Sequence, residues 1–356
     1  MFRSREKKAT NMNDPNQIYN CDDQPTTAML RVVTNFWVSR AVYVAAKLGL
    51  ADLLKDGPKT AEELALATEA HGPSLYRVLR ALAGAGILVE DDQHRFTLTA
   101  VGAVLRTDVE GSLRAWVSVQ LGDEHYRAWG DPLYSVQTGE IAFDHVFGMG
   151  AWKYRAQNPA HAKVFDEAMA NLTGIYNNAV LSNYSFSQFR RIVDIGGGDG
   201  GLLVAILQRN PAVKGVLVDV PHVAEKAQKR IEGANLADRC QVVAADAFKS
   251  VPNDGDAYIL SRVIHDWDDS RSVDLLRNCH CAMAADGRVV LIEGVIPDGN
   301  ESHIIKHFDL NMMMLNGGRE RTAEDFKALL NAAGFNVLRI IPTTTAMSIV
   351  EAERAA

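Results

Sequence analysis

The second half of the chain alternates between two hydrophobic patterns. Short continuous apolar runs, typical of strands buried on both faces, are separated by segments in which apolar residues recur every three or four positions, as in amphipathic helices. This alternation predicts a doubly wound α/β domain in which crossover helices join parallel strands. The predicted strands are 191–195, 215–219, 240–244, 256–262 and 288–294, and the predicted helices are 200–209, 222–232 and 270–284.

The C-terminal pattern predicts a departure from a purely parallel sheet. A helix near 322–333 is closed by Gly334 and followed by two apolar segments, 335–341 and 346–352, on either side of a short turn. Strands joined by so tight a turn must pair antiparallel. We therefore expect a Rossmann-like α/β sheet that ends in an antiparallel strand.

The first half of the chain is predicted to be mainly helical. Helical periodicity extends over three segments, and two short strands follow across a polar turn, which is the order of a winged helix. On these patterns we divide the chain into a disordered tail at 1–22, a winged-helix domain at 23–108, a helical linker rich in aromatic residues at 109–180 and the α/β domain at 181–356.

A winged helix can either read DNA or pack against another chain. The candidate recognition helix, which starts near Pro73, has only Arg77 and Arg80 as cations, and much of its surface is Leu, Val and Ala. The chain carries 44 acidic and 37 basic residues, a balance that disfavours binding to phosphate backbones. We therefore predict a homodimerisation domain and no nucleic-acid partner, and we keep a DNA-binding metabolite sensor as the non-enzymatic alternative.

The composition is that of an ordinary globular protein, with 47% apolar and 23% charged residues in a chain of 356. No apolar run reaches the ~18 residues that cross a membrane, and the N-terminus lacks the apolar core of a secretory signal, so we expect a cytoplasmic protein. Cys279 and Cys281 flank His280, but residues two apart on a helix point in different directions. We therefore predict thiols there and no metal.

A glycine-rich turn follows the first predicted strand of the α/β domain, in 191-RIVDIGGGDGG. Its glycines allow a ligand to approach bare backbone. Gly196, Gly198 and Gly201 also match the G-x-G-x-x-G pattern of dinucleotide enzymes, with Asp219 about 20 residues later. The glycines alone therefore leave a nicotinamide cofactor open.

Three carboxylates at successive strand ends favour a different cofactor. Asp194 precedes the glycines, where it would repel a pyrophosphate but suit the ammonium group of S-adenosylmethionine. Asp219 can accept hydrogen bonds from a ribose, and Asp246 lies beside Phe248, where an adenine could be held. Ligands of open α/β sheets lie at these strand ends, so we predict S-adenosylmethionine. The predicted site also includes Gly196, Gly198, Val220 and Ser261.

His265 follows the fourth predicted strand, at the same edge of the sheet as the cofactor. A neutral imidazole with a pKa near ~6.5 is a suitable partner for a phenolic hydroxyl, so we predict His265 as the proton acceptor. Glu293 ends the fifth strand and Glu320 lies in the loop before the last long helix; either can orient the imidazole and stabilise its charged form. The alternative is a structural histidine that only begins the next helix.

An acceptor pocket between the domains is predicted from two groups of side chains. The 109–180 segment is rich in aromatic residues, and 304-IIKHFDLNMMML carries three consecutive methionines, which adapt to apolar ligands. The alternative is that both groups are only core. The predicted acceptor contacts are Trp116, Phe147, Phe165, Met169, Asp309 and Met313.

Taken together, these segments resemble the plant-type O-methyltransferases, a family that includes caffeic acid and acetylserotonin methyltransferases and bacterial natural-product tailoring enzymes. VDIGGGDGG, VLVDVPHV, ADAFKSVP, HDWDD and GGRERTAEDFKALLNAAGF are similar to successive motifs of that family, and the resemblance covers nearly the whole chain. It implies a class I methyltransferase fold, an intertwined homodimer, and methylation of a hydroxyl on an aromatic metabolite without a metal.

The resemblance also implies roles for particular residues. It assigns the general base to His265, with support from Glu293 and Glu320, and it places Thr173 where plant members often have a cofactor-contacting Ser. Some relatives bind the same cofactor without transferring its methyl group, which is the second enzymatic alternative. The implied cofactor contacts are Asp194, Gly196, Asp219, Asp246, Ala247 and Phe248.

Overall fold

The N-terminal part of the protein is helical with a small antiparallel sheet. The computed structural model describes residues 24–355, so the tail predicted at 1–22 lies outside the described residues. Three strands pair in the order β1-β3-β2, which adds one short strand to the predicted wing. The elements are α1 (Pro25–Leu48), α2 (Leu50–Leu53), β1 (Lys59–Thr60), α3 (Ala61–Thr68), α4 (Gly72–Gly84), β2 (Leu88–Glu90), β3 (Arg95–Leu98) and α5 (Ala100–Ala103).

Six helices connect this part to the sheet, in agreement with the helical character predicted for the segment. The last of them, α11, begins with Pro159, a residue that favours the first turn of a helix. It continues to Asn183, so the division that we predict after residue 180 falls in its last turn. The helices are α6 (Arg114–Gln120), α7 (Asp123–Ala128), α8 (Pro132–Thr138), α9 (Ala142–Phe147), α10 (Ala151–Gln157) and α11 (Pro159–Asn183).

The C-terminal part is a single mixed sheet flanked by helices. Its strands are β4 (Arg191–Ile195), β5 (Lys214–Asp219), β6 (Cys240–Ala244), β7 (Ala257–Ser261), β8 (Arg288–Ile296), β9 (Arg321–Thr322), β10 (Phe335–Pro342) and β11 (Met347–Arg354). Its helices are α12 (Gly201–Arg209), α13 (Pro221–Gly233), α14 (Asp269–Ala282), α15 (Ile304–Leu315) and α16 (Ala323–Ala332), with a 3-10 turn at Ile264–Asp266.

The strand order is β10-β11-β8-β7-β4-β5-β6, with β9 pairing to the end of β8. Strands β4 to β8 run parallel, and the terminal hairpin pairs antiparallel to β8, which confirms the predicted sheet. The predicted strand at 256–262 is shorter in the structure, because Arg262 turns the backbone to a left-handed φ of 55°.

The sheet is buried on both faces, which explains its continuous apolar runs. Ile192, Val193, Ile259 and Leu260 of the two central strands are all fully buried. From β4 the chain winds outward to β5 and β6 and then crosses to β7, so the order reverses at β4. Such a switch point leaves a crevice at the carboxyl ends of the strands. Among the described helices, none is long and apolar enough to span a membrane.

Candidate active site

The glycine loop after β4 is held tightly against β5. Gly196 and Gly198 have φ values of +66° and +59°, in the left-handed region that glycine adopts without strain. The Gly196 N–H donates to the Val218 carbonyl over 2.8 Å. A methyl group on Gly197 would lie 2.8 Å from both Asp194 Oδ2 and Leu217 Cδ1. The loop therefore has no room for a side chain at Gly197.

Asp194 is buried beneath this loop with one oxygen unsatisfied. It is 1% exposed, and its Oδ1 has no hydrogen-bond partner among the described residues. Burial, and then the neighbouring Asp219, raise the pKa of Asp194 to about 7. An unmet buried acceptor costs on the order of 1–3 kcal/mol, so this position fits a ligand that brings a donor with positive charge, as the ammonium group of S-adenosylmethionine does.

The other two predicted carboxylates lie at the ends of the adjacent parallel strands. Asp219 accepts the N–H groups of Gly198 (2.9 Å) and Val220 (2.7 Å), and burial raises its pKa. Asp246 is half exposed and accepts the Phe248 N–H over 3.1 Å. The structure thus brings the three acids to one edge of the sheet, in the order that the sequence predicts.

An aromatic and cationic cluster lies beside Asp246. The Phe248 ring stands nearly perpendicular to Trp267 at 4.9 Å between centroids, and Arg271 lies over both rings. Asn278 donates to the carbonyls of Ala247 and Phe248, each over 2.9 Å. These contacts hold the segment that we predict to contact the adenine.

His265 lies between two buried glutamates. It belongs to the 3-10 turn after β7, and its Nδ1 is 3.4 Å from Glu293 Oε2 and 3.3 Å from Glu320 Oε1. Glu293 is held by the N–H groups of Val263 (2.9 Å) and Ile264 (2.8 Å), which both donate to Oε1. The sequence left open which glutamate faces the imidazole, and the structure brings both to the same ring nitrogen.

The carboxylates around His265 set its proton affinity. Burial by itself lowers the pKa of the imidazole, but Glu293, then Asp266 and Glu320, outweigh it and raise the pKa to about 10. Burial in turn raises the pKa of Glu293. The cluster therefore has a high proton affinity and stabilises the positive charge of the imidazolium. His265, Glu293 and Glu320 also each offer one atom within 4.8 Å of the others, a set that a divalent ion could use.

The loop that carries Glu320 is fastened to the same turn. The Arg319 N–H donates to the His265 carbonyl over 2.9 Å, and the Glu320 N–H donates to Asp309 Oδ1 over 2.9 Å. Asp309, predicted as an acceptor contact, thus has one oxygen engaged in holding Glu320. A methyl group on Gly318 would lie 2.0 Å from the His265 carbonyl oxygen, so only glycine allows this close approach.

The remaining predicted acceptor contacts fall into two clusters. Trp116, Phe165 and Met169 pack together between α6 and α11, and the Trp116 ring is 6.3 Å from Phe308 of α15. Phe147 and Met313 belong instead to a cluster around Phe143 and Tyr154. Helix α15 contributes to the surroundings of both clusters, and the sequence did not predict this division.

Arg262 was not singled out from the sequence, yet it joins two predicted groups. Its Nη2 donates to Thr173 Oγ1 over 2.5 Å, and its Nη1 lies 3.9 Å from Met169 Sδ. Thr173 is a predicted cofactor contact and Met169 a predicted acceptor contact. The signal was available in the sequence, because Arg262 is a cation placed directly after the apolar strand that ends at Ser261.

The cysteine pair on α14 does not form a site with His280. Cys279 is buried and Cys281 is exposed, whereas the His280 ring packs against Phe335 with 5.1 Å between centroids. The three side chains therefore face different surroundings, as their helical spacing predicts.

Comparison with known proteins gives both family and structural matches. Residues 126–336 match the model of an O-methyltransferase domain, and residues 30–108 match that of an O-methyltransferase dimerisation domain. The chain is 46% identical over 327 residues to the phenazine O-methyltransferase PhzM of Lysobacter antibioticus. The match covers 92% of this chain and 96% of that protein.

Two further relatives differ in the atom or acceptor that their names give. The chain is 35% identical over 335 residues to the phenazine-1-carboxylate N-methyltransferase of Pseudomonas aeruginosa, covering 92% of this chain and 97% of that protein. The structure of the present chain is similar to the crystal structure of NcsB1, an O-methyltransferase from neocarzinostatin biosynthesis, in complex with S-adenosylmethionine and 2-hydroxy-5-methyl naphthoic acid. That match has a TM-score of 0.76 and 33% identity and covers 89% of this chain and 95% of that chain.

Proposed function

The chain belongs to the O-methyltransferase family, and from that membership we propose that it methylates a hydroxyl of an aromatic small molecule with His265 as the general base. The family makes it a methyltransferase whose cofactor is S-adenosylmethionine, which excludes the nicotinamide and DNA-sensor alternatives as its main activity. The observation that carries the proposal is the contact of one imidazole nitrogen with two buried glutamates.

Oxygen is proposed as the acceptor atom because of the proton chemistry. An aromatic ring nitrogen has a free lone pair and needs no base, whereas a hydroxyl must lose its proton as it is methylated. A relative with 35% identity is named an N-methyltransferase, so the family alone leaves the atom open. The close grouping of His265, Glu293 and Glu320 at this position favours the hydroxyl.

The cofactor's sulfonium supplies an already activated methyl group. Asp194 would hold its ammonium group, Asp219 its ribose, and Asp246 with Phe248 its adenine, with further contacts from the residues predicted above. The Gly196 to Gly198 backbone allows close approach of the ligand, and Asp194 excludes a pyrophosphate by charge. Binding in this manner fixes the reacting atom, which is the main contribution that positioning makes to rate.

His265 takes the proton of the acceptor hydroxyl on Nε2, because Nδ1 faces the glutamates. Glu293, fixed by two backbone N–H groups, keeps the ring in one orientation and stabilises the imidazolium. Glu320 adds a second negative charge at the same nitrogen.

The acceptor that we propose is a polycyclic or heteroaromatic metabolite, bound near Trp116, Phe165 and Met169. The names of the relatives include a phenazine, a phenazine carboxylate and a naphthoic acid. We further propose that the protein acts as a cytoplasmic homodimer, which the match to a dimerisation domain supports.

The test combines labelled cofactor with a panel of phenols, phenazinols and naphthols. His265→Ala is expected to lower kcat by roughly 10²- to 10⁴-fold, the usual contribution of a general base. Its affinity for S-adenosylhomocysteine, measured by calorimetry, should be unchanged. The matched control is His94→Ala, which replaces an exposed histidine of the wing paired with Glu90 and should leave turnover unchanged. Addition of EDTA should also leave turnover unchanged, because no metal is proposed. Full turnover by His265→Ala, or a hydroxylated or decarboxylated product, would contradict the proposal.

A further inference from the structure

Arg262 carries a half-buried cation that has no carboxylate partner among the described residues. Its guanidinium contacts α11, through Thr173, Met169 and the Tyr176 ring at 5.5 Å. Among the described residues, no Asp or Glu oxygen lies within the 4.0 Å of an ion pair with it. Charges that are shielded from water are normally paired, because removing a lone charge from water is costly.

The position of Arg262 is between the cofactor loop and the His265 cluster. Val263, the next residue, packs so closely on the glycine loop that a methyl group on Gly196 would lie 2.8 Å from its Cγ2. On the other side, Glu293 holds the Val263 N–H. Burial lowers the pKa of Arg262, while Glu293, Asp266 and Asp199 act on it only from a distance. An arginine remains charged in such a place.

The backbone of Arg262 is strained in a way that aims its side chain. A φ of 55° costs a non-glycine residue on the order of 1–2 kcal/mol, and such outliers cluster at functional sites. The Arg262 N–H donates to the Ile292 carbonyl over 2.9 Å, which keeps the turn in this conformation. The turn ends β7 and directs the guanidinium to α11, where Thr173 accepts its hydrogen bond.

We propose that Arg262 binds the carboxylate of a ligand in the active site. The inference rests on the proposed function for the identity of the ligands. Guanidinium and carboxylate form charge-assisted, often bidentate hydrogen bonds, and pairing here would also neutralise a cation that otherwise faces a positively charged methyl donor. Thr173 is the positioning residue that holds the guanidinium in place.

Two ligands can supply this carboxylate. One is the methionine moiety of the cofactor, because Thr173 belongs to the predicted cofactor site. The other is an acidic substituent of the aromatic acceptor, because Met169, which contacts the same guanidinium, belongs to the predicted acceptor site. Either carboxylate would make the same ion pair with Arg262. In the first case the affinity for the cofactor depends on Arg262, and in the second case the affinity for the acceptor does.

The cofactor arm compares S-adenosylhomocysteine with its decarboxylated analogue by calorimetry. If the cofactor supplies the carboxylate, the wild type should prefer the carboxylated ligand by roughly 10- to 100-fold, as for a hydrogen bond to a charged group. Arg262→Gln should reduce this ratio to near one, Arg262→Lys should restore part of it, and Thr173→Val should reduce it less. Arg209→Gln, which removes an exposed arginine bonded to the Leu181 carbonyl, is the control and should keep the ratio.

The acceptor arm compares KM values for two phenols that differ only by a neighbouring carboxylate. Loss of either preference in Arg262→Gln supports the inference and identifies the source of the carboxylate. The inference is overturned if Arg262→Gln weakens the carboxylated and the uncarboxylated ligand of each pair equally, or if it keeps both preferences for the carboxylated ligand. Binding of S-adenosylhomocysteine needs no proton transfer, so the calorimetric test of Arg262 does not depend on methylation. A protein that prefers the carboxylated ligand but methylates no acceptor would contradict the proposed function and leave the role of Arg262 standing. Thr173→Val keeps the test open if Arg262→Gln does not fold.

Discussion

Glu293 controls the proton affinity of His265 and not only its orientation. Among the interactions that raise the pKa of the imidazole to about 10, the charge of Glu293 is the largest. A general base must be neutral to accept a proton, so the active fraction grows as the pH rises through the pKa of the folded enzyme. We therefore expect the rate to increase with pH in a limb whose midpoint lies above the ordinary histidine value of ~6.5.

Glu293→Gln should move this limb to lower pH. The amide oxygen can still accept the N–H groups of Val263 and Ile264, but loss of the negative charge lowers the pKa of His265. The measurement is kcat/KM against pH for both proteins with the same acceptor, so that ionisation of the acceptor cancels. Glu353→Gln, at a surface ion pair with Arg288, is the control. An unmoved limb, or one displaced to higher pH, would contradict the assignment.

The turn that carries His265 depends on β9 for its position. Arg321, 1% exposed, donates to the carbonyls of Ile264 (3.0 Å) and Trp267 (2.9 Å) and pairs with Asp269 (2.8 Å). These contacts connect the 3-10 turn, the start of α14 and the strand that follows Glu320. One buried guanidinium therefore aligns three elements of the site.

Arg321→Met should destabilise the protein by about 1.5–3 kcal/mol, since it removes a charged donor from the Ile264 and Trp267 carbonyls. It should also lower kcat, because His265 and Glu320 lose their common support. Arg319→Met is the matched control: it pairs with the same Asp269 but is half exposed, and it keeps its backbone bond to His265, so we expect a loss below about 1 kcal/mol. Chemical unfolding and steady-state kinetics measure both effects. Equal losses in the two variants would show that burial of Arg321 is unimportant.

Helix α1 leaves an apolar face uncovered in the single chain. Phe36 is 51% and Trp37 67% exposed, and Met29, Leu30 and Val33 are exposed along the same helix. Contiguous apolar surface of this kind marks an interface, and residues 30–108 match a dimerisation domain. We therefore place the proposed homodimer contact on α1.

Trp37→Lys should convert the dimer to a monomer or weaken it strongly, because it places a charge in the centre of the apolar face. Light scattering coupled to size exclusion measures the mass directly. Leu66→Lys is the control: Leu66, on α3, is 86% exposed but isolated from that face, so its replacement should leave the mass unchanged. A Trp37→Lys protein that remains a dimer at micromolar concentration would place the interface elsewhere.

The sequence by itself determined the sheet and the order of the acids along its edge. Strands buried on both faces must be continuously apolar, and parallel strands must present their carboxyl ends on one side. Asp194, Asp219, Asp246 and His265 therefore converge whatever the detailed packing. Local chemistry is enough for such features, because each depends on neighbours a few residues away in the chain.

Only the tertiary structure decided which groups meet across long separations. Strands β1 and β9, of two residues each, carry no periodicity and exist only through their partners. The contact of His265 with both glutamates, the division of the aromatic residues into two clusters and the turn of Arg262 toward α11 arise in the same way. Each depends on how helices and strands distant in sequence pack against one another, and no local pattern specifies that geometry.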